Sequence, residues 1–455
     1  MGKKRVKNEV SIMDARQVAF EVLLNIKTTK AYSNIALSKA LASHELSSQD
    51  KALATEIVYG TLTHEILLHY WLTPYFQGRI KNWVKILLTM TLYQIVYLEK
   101  IPNYAAINEA VGIAKGRGGE FNAKIVNAIL RKATFPDGLR STDEITEIPE
   151  RLATQHSHPT WLVRLWISQF GKNRTEAILR SNNERARMTL RTNMTRTNRN
   201  ALISRLAREG VATLEGELCK SAILVTAGNA LLADSFKDGL FYVQDEASML
   251  PAIALAPTKH AHVLDVCAAP GGKTLQLAEM VGDLGLVYAH DIYAHKIDRL
   301  KENASRLGIN NVEASVCWAH ELEKQHEPAS FDYILVDAPC SGLGILRRHP
   351  EAKLTKKPAD LDAIIQIQQE ILGSSAKFLK PGGRLIYSTC TINRKENQRQ
   401  IEEFLLAHED FELEASFKSR MPTILKDNFE NGMLQLFPQD FGTDGFFIAS
   451  LVKKK

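Results

Sequence analysis

The stretch His262–Met280 reads HVLDVCAAPGGKTLQLAEM. Its opening, His262-Val263-Leu264-Asp265-Val266, is a short apolar run that fits a buried strand, and Cys267-Ala268-Ala269-Pro270-Gly271-Gly272 is a tight turn of small residues. From Lys273-Thr274 onward the apolar spacing is helical. A strand, a glycine turn and a helix in that order make the ligand-binding corner of an open α/β sheet. The glycines let the backbone approach a ligand, and the free N–H groups at the helix start favour an anionic group. The stretch lacks the first glycine of a GxxxxGK(S/T) phosphate loop and is not GxGxxG. On these residues alone a structural turn without a ligand remains open.

Outward from this corner, strand and helix patterns alternate. Phe236-xx-Gly239-xxxx-Gln244-Asp245 leads into a helix to about Leu255. After the corner come strands at Leu286–Asp291, Val312–Val316, Tyr333–Asp337 and Arg384–Cys390, the last entered through Pro381-Gly382-Gly383. Helices fall at Ala294–Leu307, at about Asp360–Leu379 and at Glu396–Ala407, with late strands near Phe411 and Phe446–Leu451. This alternation over 236–455 predicts a Rossmann-like α/β domain, with a mostly parallel sheet and an antiparallel hairpin at one edge.

The front of the chain has a different period. Ala15, Val18, Ala19, Val22, Leu23 and Ile26 lie at the spacing of one buried helix face, and similar faces run through Leu53-Ile57-Val58, Val84–Tyr97 and Ala106-Ala110-Ile113. Gly116-Arg117-Gly118-Gly119 breaks the pattern before a last helix, Asn122–Lys132. An all-α bundle is therefore expected over 1–138. Phe135-Pro136-Asp137-Gly138 and the polar run to Glu150 read as a linker. Residues 151–235 read as a small α+β module. Eight arginines and one acidic residue, Glu184, lie between Arg180 and Arg208, a composition that suits a phosphate backbone or a solvated basic face.

A chain of 455 residues exceeds one compact core, and 45% hydrophobic with 24% charged residues is ordinary for a globular protein. The formal charge of +6 is mild, and the runs Lys3-Lys4-Arg5 and Lys453-Lys454-Lys455 read as solvated tails. Five widely spaced cysteines with no CxxC argue against a disulfide framework and against a metal site. No signal peptide or membrane span is expected, which points to a cytoplasmic protein. With no heptad or exposed apolar stripe to demand a partner, a monomer is expected.

Two constellations carry chemistry. Asp291 ends the second strand, twenty residues after Gly271, where an acid accepts hydrogen bonds from both hydroxyls of a ribose. The fourth strand ends in Asp337-Ala338-Pro339-Cys340-Ser341-Gly342, and fifty residues after Cys340 the fifth ends in Ser388-Thr389-Cys390. Neighbouring parallel strands bring their carboxyl ends to one crevice, so Cys340 and Cys390 are expected together over the cofactor with Asp337 between them. Buried structural thiols are the common alternative. A thiol pair suits attack on a pyrimidine: carbon 5 of cytosine is a poor nucleophile until a thiolate adds to carbon 6. Asp337 at the N4 amino edge would distinguish cytosine from uracil. Residue types alone leave the roles of the two cysteines interchangeable. Cys267 reads as a packing residue of the turn.

These residues resemble known families. Cys267-Ala-Ala-Pro-Gly-Gly-Lys273, Asp337-Ala-Pro-Cys340-Ser-Gly342 and Ser388-Thr389-Cys390 resemble the NOL1/NOP2/Sun family of RNA 5-methylcytosine methyltransferases. Arg16-xx-Ala19-Phe20, Val58-Tyr59-Gly60-Thr61-Leu62, Leu92-Tyr93-Gln94 and Val126-Asn127-Ala128-Ile129-Leu130-Arg131 resemble the helical fold of the NusB antitermination factor, an RNA- or protein-binding module. The combination, with Arg347-Arg348-His349-Pro350-Glu351, resembles the subgroup that acts on 16S ribosomal RNA; transfer RNA is the alternative substrate. The resemblance implies S-adenosyl-L-methionine as cofactor, held by Cys267, Ala268, Ala269, Pro270, Gly271, Gly272, Lys273, Asp291 and Asp337. It implies Cys390 as nucleophile and Cys340 as the residue assisting product release. One position departs: where the family carries an acid at the end of the third strand, this chain reads Val316-Cys317-Trp318-Ala319-His320-Glu321, leaving Glu321 or Trp318 as the adenine contact.

Overall fold

The computed structural model describes residues 13–134 and 138–455. Phe135-Pro136-Asp137 of the expected linker and the Lys3-Lys4-Arg5 run lie outside the described residues. The chain divides into two compact units. One takes residues up to Glu184 together with Leu346–Lys356, and the other takes Arg185–Ile345 and Lys357–Lys455.

The first unit is helical, with main helices at Ala15–Thr29, Ser33–Ser43, Ser48–Leu72, Asn82–Tyr97 and Asn103–Ala133. The first helix starts where the Asp14 carboxylate accepts from the Arg16 and Gln17 amides, completing a capping box with Gln17. Its expected face is buried, and Val18, Val22 and Leu23 share one core with Ile57, Val58, Leu87, Leu88, Ala110 and Val126. The break at Gly116–Gly119 is a kink and not a loop: the last helix runs through, with only Gly119 outside helical dihedrals. The short quoted pieces meet in space. Arg16 Nε donates to Gln94 Oε1 (2.9 Å), and Tyr93 Oη donates to Glu56 Oε1 (2.6 Å).

Helices Ile148–Gln155, Thr160–Phe170 and Lys172–Ser181 also belong to this unit, whereas the sequence reading begins the α+β module at Arg151. So does the Arg347–Glu351 run. Glu351 accepts from the Ser33 amide and hydroxyl (3.2 and 2.7 Å), and Lys353 Nζ donates to Thr63 O (2.9 Å) and Asn183 Oδ1 (3.0 Å). Burial pulls the Lys353 ammonium down to a pKa of about 7.

The second unit holds two sheets. The smaller comprises β1 (Met188–Thr192), β2 (Ala212–Glu215), β3 (Ala222–Ala227) and β4 (Phe241–Val243), antiparallel in the order β2-β3-β1-β4. Leu202 and Leu206 of the helix Arg199–Arg208 share a core with Leu190, Ile223 and Phe241. The arginine cluster is not one free basic face. Arg191 is buried and pairs with Glu279 (2.5 Å) and Gln244 (2.8 Å), while Arg199 meets Glu215 and Arg205 meets Glu209. A strand facing a core cannot leave a guanidinium unpaired, so Arg191 serves packing and not phosphate binding.

The larger sheet is built from β5 (His262–Asp265), β6 (Leu286–Asp291), β7 (Val312–Val316), β8 (Phe331–Asp337), β9 (Leu379–Thr389), β10 (Phe411–Leu413), β11 (Phe429–Glu430), β12 (Met433–Leu436) and β13 (Phe446–Lys453). Its order is β11-β12-β13-β9-β8-β5-β6-β7, with β10 also on β13. Pairing is parallel from β7 to β9 and antiparallel beyond. The antiparallel part is larger than the expected hairpin, and β11 and β12 carry too few residues for a period of two to show in the sequence. Strand order reverses at β5, whose neighbours are β6 and β8, so the carboxyl ends of β5, β6, β8 and β9 surround the switch point of the fold.

Glycine in the interior of the helix Ser48–Leu72 is explained by its neighbour: a Cβ on Gly60 would lie 1.9 Å from the Tyr93 ring. Gly60→Ala is expected to destabilise the helical unit by about 1–3 kcal/mol through overpacking. Gly112→Ala, in an exposed helix position with open space around it, is expected to stabilise by up to about 1 kcal/mol. Urea unfolding followed by circular dichroism checks both.

Candidate active site at the switch point

The corner after β5 is tied down by short-range bonds. Thr274 Oγ1 donates to Asp265 Oδ2 (2.7 Å) and to Ala268 O (3.2 Å), and the Ala268 amide donates to His290 O on β6 (2.9 Å). Asp265 is buried, and its second carboxylate oxygen has no partner among the described residues. Burial raises the Asp265 pKa to about 7, against the lowering pull of the Thr274 hydroxyl. A buried acceptor without a donor at a sheet's switch point fits a ligand that brings one.

Asp291, at the end of β6, is mostly buried and accepts from the Tyr293 amide (3.1 Å) through one oxygen. Beside it ends β7, paired Asp291 to Val316. There Trp318 stands half exposed (50%), whereas Glu321 is turned into an ion pair with Lys324 (2.6 Å). Of the two candidates for an adenine face, the apolar plane of Trp318 has the suitable chemistry.

On the other side of β5 the register opposes Asp337 to Ser388. Asp337 Oδ1 accepts from Ser388 Oγ (2.8 Å) and Oδ2 from Lys273 Nζ (2.7 Å), and Lys273 also donates to Ser248 Oγ (3.0 Å). Burial alone would depress the Lys273 ammonium. The charge and hydrogen bond of Asp337 outweigh it, so the pKa is raised and the lysine stays charged.

Cys340 and Cys390 meet with their Sγ atoms 3.2 Å apart. The hydrogen bond to Cys390 is the largest cause that pushes the Cys340 thiol well above its ordinary range, followed by burial and by the charges of Cys390 and Glu396. The backbone closes around the pair: Gly344 N donates to Cys390 O (3.0 Å) and Gly445 N to Gly344 O (2.9 Å). A Cβ on Gly344 would sit 2.1 Å from Gly445 O, so only glycine permits this approach. Cys267 packs against an apolar core, its thiol pushed up by burial and by nearby carboxylates. Among the described residues no group of three or more potential ligands is placed to hold a metal, and no helix is long and apolar enough to cross a membrane.

The structure thus brings together Lys273, Asp337, Cys340 and Cys390, with the turn and Asp291 on the adjoining strands. Sequence reasoning missed Ser248, the orphaned oxygen of Asp265, and Glu396. Glu396 read as an ordinary acid at a helix start, but the helix begins at Gln398 and Glu396 is buried in the loop before it.

The chain is similar to known proteins over its whole length. Three family models match: 16S rRNA methyltransferase RsmB/F over residues 252–452, the NusB family over 13–135, and a ferredoxin-like domain of RsmF/B-like methyltransferases over 158–231. The chain is 43% identical to the probable ribosomal RNA small subunit methyltransferase B of Bacillus subtilis, covering 96% of this chain and 98% of that one. It is 33% identical to the protein described likewise in Synechocystis, covering 97% and 100%. The solved structure of PH0851 superimposes with a TM-score of 0.82 at 26% identity, covering 96% of this chain and 98% of the other.

Because the bond to Cys390 is the largest cause of the high Cys340 pKa, Cys390→Ala is expected to move the inflection of Cys340 alkylation to lower pH. Burial should still hold it above an ordinary thiol. Iodoacetamide labelling across a pH series, with the modified cysteine located by mass spectrometry, reads that inflection; an unmoved profile would contradict the thiol–thiol bond.

Proposed function

The chain belongs to the 16S rRNA methyltransferase RsmB/F family, and from that premise we propose that it is an S-adenosyl-L-methionine-dependent cytosine-5 methyltransferase of 16S ribosomal RNA, with Cys390 as nucleophile. The observation that carries this reading is the 3.2 Å thiol pair at the switch point, flanked by Lys273 and Asp337.

The cofactor's residues fit it. Asp291 would take the ribose hydroxyls, Trp318 would lie against the adenine, and the Asp265 oxygen without a partner would accept from the ammonium end near the turn Cys267–Gly272. When bound, the cofactor supplies an electrophilic methyl group.

The rest is the work of this chain's side chains on the base. A target cytosine must leave its stack to enter such a crevice. Asp337 still has lone pairs beyond those used by Lys273 and Ser388, and these accept from the N4 amino group. Cys390 adds as thiolate to carbon 6, which makes carbon 5 electron-rich. Once carbon 5 carries the methyl group it gives its proton to solvent water; the C5–H pair closes the C5–C6 double bond, the C6–S bond breaks and its pair leaves with Cys390 as thiolate. Cys340, kept protonated, donates its S–H to the Cys390 sulfur and stabilises that departing charge. Lys273, a retained cation within electrostatic reach of Cys390, faces the charge on that sulfur at both ends of the cycle.

Incubation of ribosomal and transfer RNA with methyl-labelled cofactor, followed by nucleoside mass spectrometry, tests the reading. Label is expected in 5-methylcytidine of 16S RNA. Cys390→Ala should lower the rate by at least about a thousandfold. Cys340→Ala should accumulate a denaturation-resistant protein–RNA adduct. Wild-type rates from the Cys390→Ala protein would sink the mechanism, and label confined to transfer RNA would replace the substrate.

A further inference from the structure

Backbone pairing between β8 and β9 ends at Asp337 and Ser388, with one further bond from the Ala338 amide to Ser388 O (2.9 Å). Cys340 and Cys390 both lie beyond that point: Thr389 still pairs with Phe447 of β13, but between the two cysteine loops the backbone contributes one bond among the described residues, from Gly344 N to Cys390 O (3.0 Å). The residues on either side of each cysteine are nonetheless anchored, and the anchors converge. Glu396 Oε2 accepts from the Ser341 amide (2.7 Å) and from Gln368 Nε2 (3.2 Å). Its Oε1 accepts from Ser341 Oγ (2.6 Å), Asn393 Nδ2 (3.0 Å) and Thr391 Oγ1 (3.4 Å). Ser341 Oγ and Thr391 Oγ1 also bond each other (2.8 Å). Gln368 Nε2 donates to Pro339 O (2.9 Å), and the neighbouring Asn397 takes Thr389 Oγ1 (2.6 Å) and donates to Thr391 O (3.0 Å). Positions 339, 341, 389 and 391 are all held in this way.

Glu396 is fully buried, and among the described residues no lysine or arginine lies at ion-pair distance from it. A bare buried carboxylate is costly, and the neutral donors arranged around it offset that cost only if they stay in place. The charge therefore demands the geometry. An apolar residue of similar size would fill the space without tying the loops together.

We propose that Glu396 is a positioning residue for the two-thiol reaction: its carboxylate splices the Cys340 loop to the Cys390 loop and fixes the distance between the two sulfurs. The catalytic part of this inference rests on the methyltransferase reading above; the positioning part does not. Two measurements on the full chain separate them. The first is the rate at which diamide, taking up one hydrogen from each thiol, joins Cys340 to Cys390 as a disulfide, normalised to the alkylation rate of each cysteine. The second is steady-state methylation of RNA together with cofactor affinity by calorimetry and the melting temperature. In Glu396→Gln one donor must face an amide nitrogen, so the normalised disulfide rate is expected to fall about tenfold. Its kcat should fall about a hundredfold, with KM for RNA and cofactor affinity within about threefold of wild type. Glu396→Asp is expected to recover part of both losses. A normalised disulfide rate unchanged in Glu396→Gln would overturn the proposal. So would a loss of kcat that only parallels loss of cofactor affinity and melting temperature. A slowed disulfide rate in a protein whose wild type methylates no RNA would uphold the splice and refute the methyltransferase reading instead.

Discussion

The register of one parallel strand pair governs this candidate active site. With Asp337 opposite Ser388, Cys340 comes three residues past the end of β8 and Cys390 two residues past Ser388, on the same edge of the sheet. A shift of one residue would turn each side chain to the opposite face. Cys340 and Cys390 would then part, and Ser388 would lose Asp337. What fixes the register is burial: Ile334, Leu335 and Val336 on β8 and Leu385, Ile386 and Tyr387 on β9 have almost no exposed surface on either side. Such strands slip only by exchanging filled core sites for wrong ones.

On that frame a single buried cation organises several acids. Lys273 lies at the start of the helix after the turn, bonds Asp337, and feels the charges of Asp265 and Cys390. Its charge is retained because Asp337 outweighs the cost of burial; Asp265, without such a partner, is instead pushed towards neutrality. Two carboxylates close in space thus stand in different surroundings. Asp337 is ion-paired to Lys273 beside the thiols, and Asp265 titrates near neutrality beside the turn.

Much of this was legible in the chain because it follows from period and order. The apolar runs at 262–266, 286–291 and 333–337 need only local hydrophobicity to read as strands, and the thiols at 340 and 390 follow from their place at strand ends. Three features left no such mark. Arg191 looks like any member of a basic cluster until Glu279, 88 residues away, meets it inside the molecule. Glu396 takes its role from Ser341, 55 residues earlier. The Arg347–Glu351 run sits between two elements of the catalytic sheet in sequence but belongs with the helical unit, since Ser33 and Thr63 satisfy its Glu351 and Lys353. Polar partnerships of this range have no periodicity, so sequence pattern is blind to them even when it sees every strand.

The same limit explains why the cysteines had to be told apart by surroundings. Cys267 and Cys340 both carry thiols pushed up in pKa, yet by different causes. For Cys267 the first cause is burial, with the carboxylates of Asp265, Asp337 and Asp291 adding to it against the opposing pull of Lys296, a setting that suits a packing role in the turn. For Cys340 the first cause is a bond to another sulfur. On the proposed mechanism, a proton held by a hydrogen bond to a neighbouring thiol is placed where a departing thiolate needs it, whereas a proton held by burial alone has nowhere to act. Proximity of a second thiol, and not elevation of the pKa, is therefore the feature that sets the proposed reacting pair apart from Cys267.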